Sequence, residues 1–256
     1  MAVAIISDLH SNTEAVTEVL KDIKSHGLKD IYCLGDLVGY GTTPAEVVEM
    51  CFETQICLLG NHDEGVLKSA YGFSAMAKGA VDWTREQLRP GFLSSSRKKR
   101  IWAFLRSLPV VYKVDDVLFV HASPRDPVME YILRTDCSDL FGKPSDKIVD
   151  IFAKIAWLCF AGHTHDPGVI SEDGRFLRPT EMDGNRFAFE KGKRYVVNVG
   201  SVGQPRDGDT RACYVIFDGE SVQFRRVEYD FRKTMEKIFS IPRLDRKLGE
   251  RLALGK

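Results

Sequence analysis

The chain has 256 residues, 44% of them hydrophobic, which is ample for a packed core and fits one large α/β domain or two small ones. Lysine plus arginine and aspartate plus glutamate both number 36, so the net charge excludes a strong overall attraction to nucleic acid or to an anionic membrane. The composition therefore predicts that an anionic substrate is held by local groups.

The first part of the chain alternates strand and helix patterns. Residues 2–6 form a short apolar run that predicts a buried strand, and residues 12–27 carry apolar side chains at helical spacing. Residues 30–34 and 54–59 are predicted as further strands, around a helix in TTPAEVVEMCF that Thr43 is expected to cap. This β-α-β-α-β order predicts a parallel sheet.

The rest of the chain is predicted to be helical first and then rich in strands. Residues 65–108 have mostly helical patterns, and VVYKVDDVLFVHAS predicts two strands around a turn at Asp115 and Asp116. A helix in SDKIVDIFAKI and a strand in AWLCFAG follow, then short strands with turn signals from Val169 onward. Without a repeat or a break in composition, we predict a single domain over residues 1–256 with a helical tail over about 231–256.

The cysteines and the amino terminus suggest the cellular setting. The six cysteines form no C-x-x-C motif and mostly lie in apolar runs, which favours buried free thiols over disulfides or zinc ligands. The start MAVAIISDLH lacks a basic region and predicts a strand, not a signal peptide. No run reaches the roughly 18 apolar residues that span a bilayer, so a cytoplasmic protein without a membrane partner is expected.

Polar clusters follow the predicted strands where each of them ends. They are Asp8 and His10 after the first strand, Asp36 after the second, Asn61, His62 and Asp63 after the third, His121 after VLFV, and His163 and His165 after WLCFA. Ligands of an open α/β sheet bind outside the carboxyl ends of its strands, so these clusters are expected to converge on one edge.

Carboxylate and imidazole together suit Mn, Fe, Zn or Co better than Mg or Ca, which prefer oxygen ligands. These side chains are more than a single metal ion can bind. Two ions about 3.5 to 4 Å apart, bridged by a carboxylate, would bind them and leave coordination positions open for a hydroxide and a phosphoryl oxygen. The alternative treats each cluster as separate turn and cap chemistry, which does not explain why all of them stand at strand ends.

Five motifs in order, SDLHSN, GDLVGYG, GNHD, VHASP and GHTH, resemble the calcineurin-like metallophosphoesterase family over residues 8 to about 165. The later NVGSVGQPRDGD resembles the small bacterial and archaeal branch of that family. The resemblance implies an α/β four-layer sandwich in which two mixed β-sheets pack together and are flanked by helices. It also implies a metal-dependent hydrolase of phosphoester bonds.

Carried over by motif, seven side chains are implied to hold two divalent or trivalent transition-metal ions. By this resemblance the first ion is bound by Asp8, His10 and His165. The second is bound by Asn61, His121 and His163, and Asp36 bridges both ions. The implied mechanism is in-line attack on phosphorus by a hydroxide that bridges the metals, without a covalent enzyme intermediate.

The resemblance also implies catalytic roles for the other two residues of GNHD. His62 would protonate the leaving oxygen, which agrees with the reference pKa of an imidazole, and Asp63 would orient His62. The alternative for His62 is a spare metal ligand or a hydrogen-bond donor to the substrate.

Two loop arginines are candidates for binding substrate phosphate, because a guanidinium can bind phosphate through two hydrogen bonds. Arg125 follows HASP and Arg206 lies in GQPRDGD, and an ordinary loop arginine is the alternative for each. Tyr40, between two glycines, either stacks on a substrate ring or is an aromatic residue without a role. The RKKR run over residues 97–100 is interpreted as a solvated helix face and not as a nucleic-acid contact.

Three classes of function remain open from the sequence. The first is a phosphoesterase for a small phosphorylated or nucleotide substrate, whether a phosphomonoester, a phosphodiester or a dinucleoside polyphosphate. The second is a nuclease or protein phosphatase with the same metals, and the third is a non-catalytic binding module, against which the presence of His62 argues. The neutral charge favours the first class and predicts no nucleic-acid partner, and homo-oligomerisation is left open.

Overall fold

Two six-stranded β-sheets form the centre of the computed structural model, which describes residues 2–138 and 142–256. The strands are, in chain order, β1 (Val3–Ile6), β2 (Ile31–Cys33), β3 (Ile56–Cys57), β4 (Val111–Val114), β5 (Val117–Val120), β6 (Leu158–Ala161), β7 (Gly168–Ser171), β8 (Phe176–Leu177), β9 (Arg186–Ala188), β10 (Tyr195–Asn198), β11 (Ala212–Phe217) and β12 (Ser221–Val227). The first sheet has the order β3-β2-β1-β11-β12-β9 and the second β4-β5-β6-β10-β7-β8. Both sheets are mixed, as expected.

Helices lie between and after these strands. They are α1 (Thr13–Ser25), α2 (Pro44–Met50), α3 (Asn61–Leu67), α4 (Ala75–Leu88), α5 (Ser96–Ser107), α6 (Asp146–Phe152), α7 (Phe231–Phe239) and α8 (Lys247–Glu250). Helices α4 and α5 lie in the region with helical patterns, and α7 and α8 lie within residues 231–256. Within the described ranges, every helix is too short or too polar to cross a lipid bilayer.

The predicted β-α-β-α-β unit is present, with β1 parallel to β2 and β2 parallel to β3. Asn12 caps α1 by accepting a hydrogen bond from the amide of Ala15 at 3.2 Å. Thr43 occupies the N-cap position of α2, as predicted, but its side chain makes no capping hydrogen bond. The Thr43 hydroxyl instead donates to the carbonyl of Ser11 at 2.7 Å, which ties the start of α2 to the loop after β1.

Apolar side chains from both sheets pack together in one buried cluster. Ile5 and Leu34 contribute from the first sheet and its loops, and Phe119 and Phe160 from the second, where their rings stack at 5.3 Å between centroids. A second cluster joins the first sheet to α1, α2, α4 and α5, and a third joins the second sheet to α6. Helix, sheet, sheet and helix thus form the predicted four layers.

The second sheet changes one expectation about the site. Strands β5 and β6 lie in the second sheet, whereas β1, β2 and β3 lie in the first. The polar clusters therefore stand at strand ends of two facing sheets and not at the edge of one open sheet. All six cysteines are buried and free, as predicted.

Candidate metal centre

The predicted metal ligands converge between the carboxyl ends of the two sheets. All of them are buried, with at most 6% of any side chain exposed. Asp8 and His10 follow β1, Asp36 follows β2, Asn61 begins α3 after a short loop that follows β3, His121 follows β5, and His163 and His165 follow β6. Residues distant in sequence are therefore in one place, as their position after the strands predicted.

Asp8, His10 and His165 form the first group of donor atoms. The Nε2 atom of His165 lies 3.1 Å from Nε2 of His10 and 3.0 Å from Oδ1 of Asp8. Nε2 of His10 lies 3.7 Å from the same Asp8 oxygen. A single ion between these three atoms would contact all of them.

The second group contains Asn61, His121 and His163. Nε2 of His121 lies 3.1 Å from Oδ1 of Asn61 and 3.2 Å from Nδ1 of His163. The Oδ2 atom of Asp36 stands between the groups, 3.5 Å from Nε2 of His121 and 3.8 Å from Nε2 of His10. The geometry thus gives Asp36 access to both groups.

Backbone carbonyls fix the protonated nitrogen of each histidine in these groups. Nδ1 of His10 donates to Val38, Nδ1 of His121 to Leu34, Nδ1 of His165 to Gln204, and Nε2 of His163 to Met129, at distances of 2.5 to 3.2 Å. Burial lowers the pKa of each of these imidazoles, that of His163 to about 3, so they are neutral. The inward nitrogen of each ring therefore carries a lone pair and no proton.

These inward lone pairs face one another and the buried oxygens of Asp8 and Asp36. Oδ1 of Asp8 receives no hydrogen bond from the described residues. Burial, and then the charges of Asp8 and Asp63, raise the pKa of Asp36 well above its ordinary value. Hydrogen-bond acceptors this close to one another repel when no proton lies between them. Bound cations would replace this repulsion with attraction, so the residues present fit two metal ions.

The ligand loops adopt uncommon backbone conformations. Asp8, His10, Asp36, His163 and His165 all have φ between 47° and 64°, the left-handed region that costs a residue other than glycine of order 1 to 3 kcal/mol. Backbone hydrogen bonds hold this geometry, such as the one from the amide of Asp8 to the carbonyl of Gly35 at 3.0 Å. Hydrogen bonds within the protein therefore hold the shape of the ligand loops.

Two residues of the NVGSVG motif, Asn198 and Ser201, support the ligands. Asn198 donates to the carbonyl of Gly162 at 2.6 Å and to the hydroxyl of Thr164 at 2.8 Å, on either side of His163. The hydroxyl of Ser201 donates to the carbonyl of Asp8 at 2.9 Å. The motif NVGSVG thus holds the ligand loops of both sheets.

Gly162 offers a test of how tightly Asp8 is held. A Cβ atom at this position would overlap Oγ of Ser7 and Oδ2 of Asp8, so Gly162→Ala is expected to displace the carboxylate and weaken metal binding roughly 10- to 100-fold. Metal titration by calorimetry measures this loss. The control is Gly79→Ala on the exposed side of α4, where nothing lies within 4 Å of the new Cβ. Equal affinity in the two variants would show that Asp8 does not bind metal.

His62 and Asp63 begin α3 beside the metal groups but are not joined to each other. The His62 ring lies 4.4 Å from that of Tyr40 and 4.9 Å from that of His10, between centroids. The carboxylate of Asp63 accepts from the amides of Gly60 at 3.0 Å and Val38 at 3.2 Å, because it occupies the third position of the helix and caps it. The Asp63 carboxylate thus holds the backbone at the start of α3. It makes no hydrogen bond to the His62 ring, which a residue that orients His62 would make.

The two candidate arginines have different surroundings. The guanidinium of Arg125 forms ion pairs with Glu130 at 3.1 Å and Asp150 at 3.2 Å. Arg206 donates to Oε1 of Gln204 at 2.9 Å and to the hydroxyl of Tyr40 at 3.4 Å, and no carboxylate of the described ranges lies within 4.0 Å of it. Arg206 therefore keeps an uncompensated charge near the metal groups, whereas that of Arg125 is neutralised.

A cavity of about 170 Å³ opens beside the second group of ligands. Asn61, His62 and His163 line its base, and aromatic residues line its walls. The ring of Tyr131 stacks on that of His163 at 3.9 Å, and Phe73 meets the edge of His62 at 5.0 Å. Neither aromatic residue belongs to a motif, so the sequence carried no signal for them.

Two packed mixed sheets carry buried imidazole and carboxylate donors at their strand ends, in groups that could hold metal ions. Residues 1–221 match the calcineurin-like phosphoesterase superfamily domain, and the chain belongs to this family. It is accordingly a hydrolase of phosphoesters.

Several known proteins are similar to this chain. The uncharacterized protein MJ0912 of Methanocaldococcus jannaschii is 39% identical over 264 residues, which cover 99% of this chain and 98% of that protein. The crystal structure of a metallophosphoesterase from Sphaerobacter thermophilus superimposes with a TM-score of 0.80 at 36% identity, covering 100% of this chain and 99% of that one. The symmetrical bis(5'-nucleosyl)-tetraphosphatase of Acidovorax sp. (strain JS42) is 31% identical over 130 residues, 48% of this chain and 44% of that protein.

Proposed function

We propose that the protein hydrolyses small phosphorylated or nucleotide substrates at a dinuclear metal centre. The observation that carries the proposal is the position of Asp36, whose Oδ2 atom lies between two groups of inward-facing donors. Asp8, His10 and His165 would hold one ion, Asn61, His121 and His163 the other, and Asp36 both. The mixture of imidazole and carboxylate favours Mn, Fe, Zn or Co.

Such a pair of ions supplies an activated water nucleophile near neutral pH and neutralises charge on the non-bridging phosphoryl oxygens. The protein itself orients the side chains that would hold the ions. The carbonyls that fix the imidazole tautomers keep the lone pairs directed inward, and the two sheets exclude bulk water from the buried ligands. A phosphoryl group would therefore meet a site that needs little rearrangement.

His62 is proposed as the proton donor to the leaving oxygen. Its ring lines the cavity next to Asn61, and its Nδ1 atom has no hydrogen-bond partner among the described residues. Burial, followed by the charge of Arg206, lowers the pKa of His62 well below its ordinary value, so the ring is neutral before substrate binds. A phosphate anion beside it favours the imidazolium, so the proton would be taken up with the substrate.

The cavity favours a compact leaving group. Its volume of about 170 Å³ is below the 300 to 1,000 Å³ typical of pockets that enclose a drug-sized ligand. Tyr131, Phe73 and Tyr40 give it aromatic walls, which would accept a planar ring. A dinucleoside polyphosphate is the second candidate substrate, favoured by the partial similarity to the Acidovorax tetraphosphatase.

A screen of metal-loaded protein tests this proposal. The substrates are p-nitrophenyl phosphate, bis-p-nitrophenyl phosphate, cyclic nucleotides and dinucleoside polyphosphates, each assayed with Mn, Fe, Zn and Co. We expect hydrolysis of at least one substrate that is lost on chelation and restored by metal. If no phosphoester is turned over with any of these metals, the proposed substrate class is wrong.

Arg206→Ala is expected to lower kcat/KM by roughly 10- to 100-fold, since a hydrogen bond to a charged group contributes about 1.5 to 3 kcal/mol. Bound metal should be unchanged, because Arg206 is not a ligand. Arg125→Ala is the comparison, and a smaller loss is expected since its charge is already paired with Glu130 and Asp150. Steady-state kinetics that leave the Arg206 variant as active as wild type would remove it from the substrate site.

A further inference from the structure

The carboxyl-terminal tail packs against the loop that carries Arg206. Leu248 and Leu252 are buried in the same apolar cluster as Tyr40, which lies under the Arg206 guanidinium. The amide of Gly208 donates to the carbonyl of Gly255 at 3.0 Å. These contacts place Arg251, which directly precedes Leu252, beside Tyr40 and the 204–209 loop.

Arg206 and Arg251 differ from the other arginines around them. Arg226 pairs with Asp207, and Arg211 pairs with Asp209 at 2.7 Å, so both acids of the loop are already engaged. Across residues 2–138 and 142–256, no carboxylate oxygen lies within 4.0 Å of either Arg206 or Arg251. Two segments in contact with each other thus each carry an arginine without a carboxylate partner.

The half-buried surroundings of Arg251 make its positive charge near that of Arg206 unfavourable unless an anion binds. Arg251 is partly buried, and burial followed by the charge of Arg206 lowers its pKa. Burial raises the pKa of Tyr40, and the charges of Arg206 and Arg251 both act to lower it. The Tyr40 hydroxyl accepts a hydrogen bond from Arg206 at 3.4 Å. Two guanidinium groups on neighbouring segments offer several hydrogen-bond donors, and such donors suit phosphate oxygens.

We propose that Arg251, together with Arg206, forms a second anion subsite that binds a phosphate group of the substrate other than the one hydrolysed. This inference rests on the proposed function and narrows its substrate class to molecules with at least two phosphate groups. Arg206 lies beside the metal groups, since its amide donates to the carbonyl of His165 at 3.2 Å and its guanidinium contacts Tyr40, whose ring lies 4.6 Å from that of His10. The subsite would therefore begin beside the reacting phosphoryl group and extend outward to the tail.

The subsite lies partly outside the segment that matches the family domain. Arg251 stands beyond residues 1–221, the segment that matches the family domain. The tail would thus add a specificity determinant to a shared catalytic centre, and no motif in the sequence marks it.

Matched pairs of small phosphates test the subsite. The bisphosphates of ethane-1,2-diol, propane-1,3-diol and butane-1,4-diol are compared with ethyl, propyl and butyl phosphate, so that each pair differs mainly in the second phosphate. Binding to metal-loaded protein is measured by calorimetry and by competition against p-nitrophenyl phosphate hydrolysis. Wild type is expected to bind at least one bisphosphate roughly 10-fold or more tightly than its partner, as charge-assisted hydrogen bonds predict.

The variants separate charge from packing. Arg251→Met keeps an apolar side chain of similar length at this half-buried position and is expected to abolish the preference for the bisphosphate while leaving alkyl phosphate binding within about 2-fold. Arg251→Lys keeps the charge and is expected to retain part of the preference. Lys247→Gln removes one charge from an exposed position of the same tail and should change neither affinity. Circular dichroism and melting temperature confirm that each variant is folded.

Three results would overturn the proposed subsite. Wild type could bind no bisphosphate more tightly than its alkyl phosphate, or Arg251→Met could keep the preference for the bisphosphate. The third result is that Arg251→Met loses affinity equally for the bisphosphate and for its alkyl phosphate. If Arg251→Met does not fold, an unchanged preference in Arg251→Lys or a reduced one in Lys247→Gln contradicts the proposal. Calorimetry reads binding without turnover, so a subsite that depends on Arg251 would be detected even if no phosphoester were hydrolysed.

Discussion

Asp36→Asn is expected to lower kcat/KM by roughly 10²- to 10³-fold or more and to reduce bound metal below two equivalents. Its Oδ2 atom faces both groups of ligands, so the substitution removes negative charge from two sites at once. Breaking a buried charge pair on one side costs about 3 to 5 kcal/mol, which corresponds to this loss. The measurements are metal content and steady-state kinetics.

The fold should survive this substitution. An asparagine can still accept from the amide of His62, as Oδ1 of Asp36 does at 2.8 Å, and its amide group can donate to the inward lone pairs of the neighbouring imidazoles. His10→Ala is the comparison, because it removes a ligand of one group only. Similar losses of activity in the two variants would contradict a bridging role for Asp36.

His62→Gln is expected to keep both metals and to lower activity by about 10²- to 10⁴-fold on alkyl phosphoesters, the usual contribution of a general acid. The loss on p-nitrophenyl esters should be distinctly smaller, because a nitrophenolate leaves without the proton that an alkoxide needs. The ratio of kcat/KM values on the two substrates measures the effect. Glutamine retains polarity and size, which limits damage to the aromatic contacts around the ring.

His26→Gln is the control for this experiment, because His26 is an exposed histidine that bonds to the carbonyl of Asp22 at 2.8 Å. Equal losses on both leaving groups in the His62 variant would make His62 a positioning or charge-stabilising residue. Lost metal would make it a ligand, since its ring also lies within reach of His10 and Asp36.

Much of the fold could be predicted from local patterns. The apolar runs of β1, β2 and β3 and the helical spacing between them predict a parallel unit, because parallel strands are buried on both faces. Local periodicity says nothing about strand partners far away in sequence. The antiparallel pairing of Val3 with Phe217, and the placement of β5 and β6 in the second sheet, therefore had to come from the structure or from the family resemblance.

The types of ligand could be predicted from the motifs, but the groups that orient them could not. The carbonyl that accepts from His165 belongs to Gln204, and any residue type at that position presents a carbonyl. Asp63 was expected to orient His62 and instead caps α3, a helix that begins earlier than the helical pattern predicted. Arg251 had no motif around it, because its position depends on how the tail packs against Tyr40.

The most direct test of the dinuclear centre is metal analysis of protein purified without chelator, combined with anomalous diffraction from its crystals. We expect about two equivalents of Mn, Fe, Zn or Co and two anomalous peaks about 3.5 to 4 Å apart, with Asp36 between them. One peak should lie among Asp8, His10 and His165, and the other among Asn61, His121 and His163. A single bound ion in fully active protein, or ions held by other residues, would contradict the proposed centre.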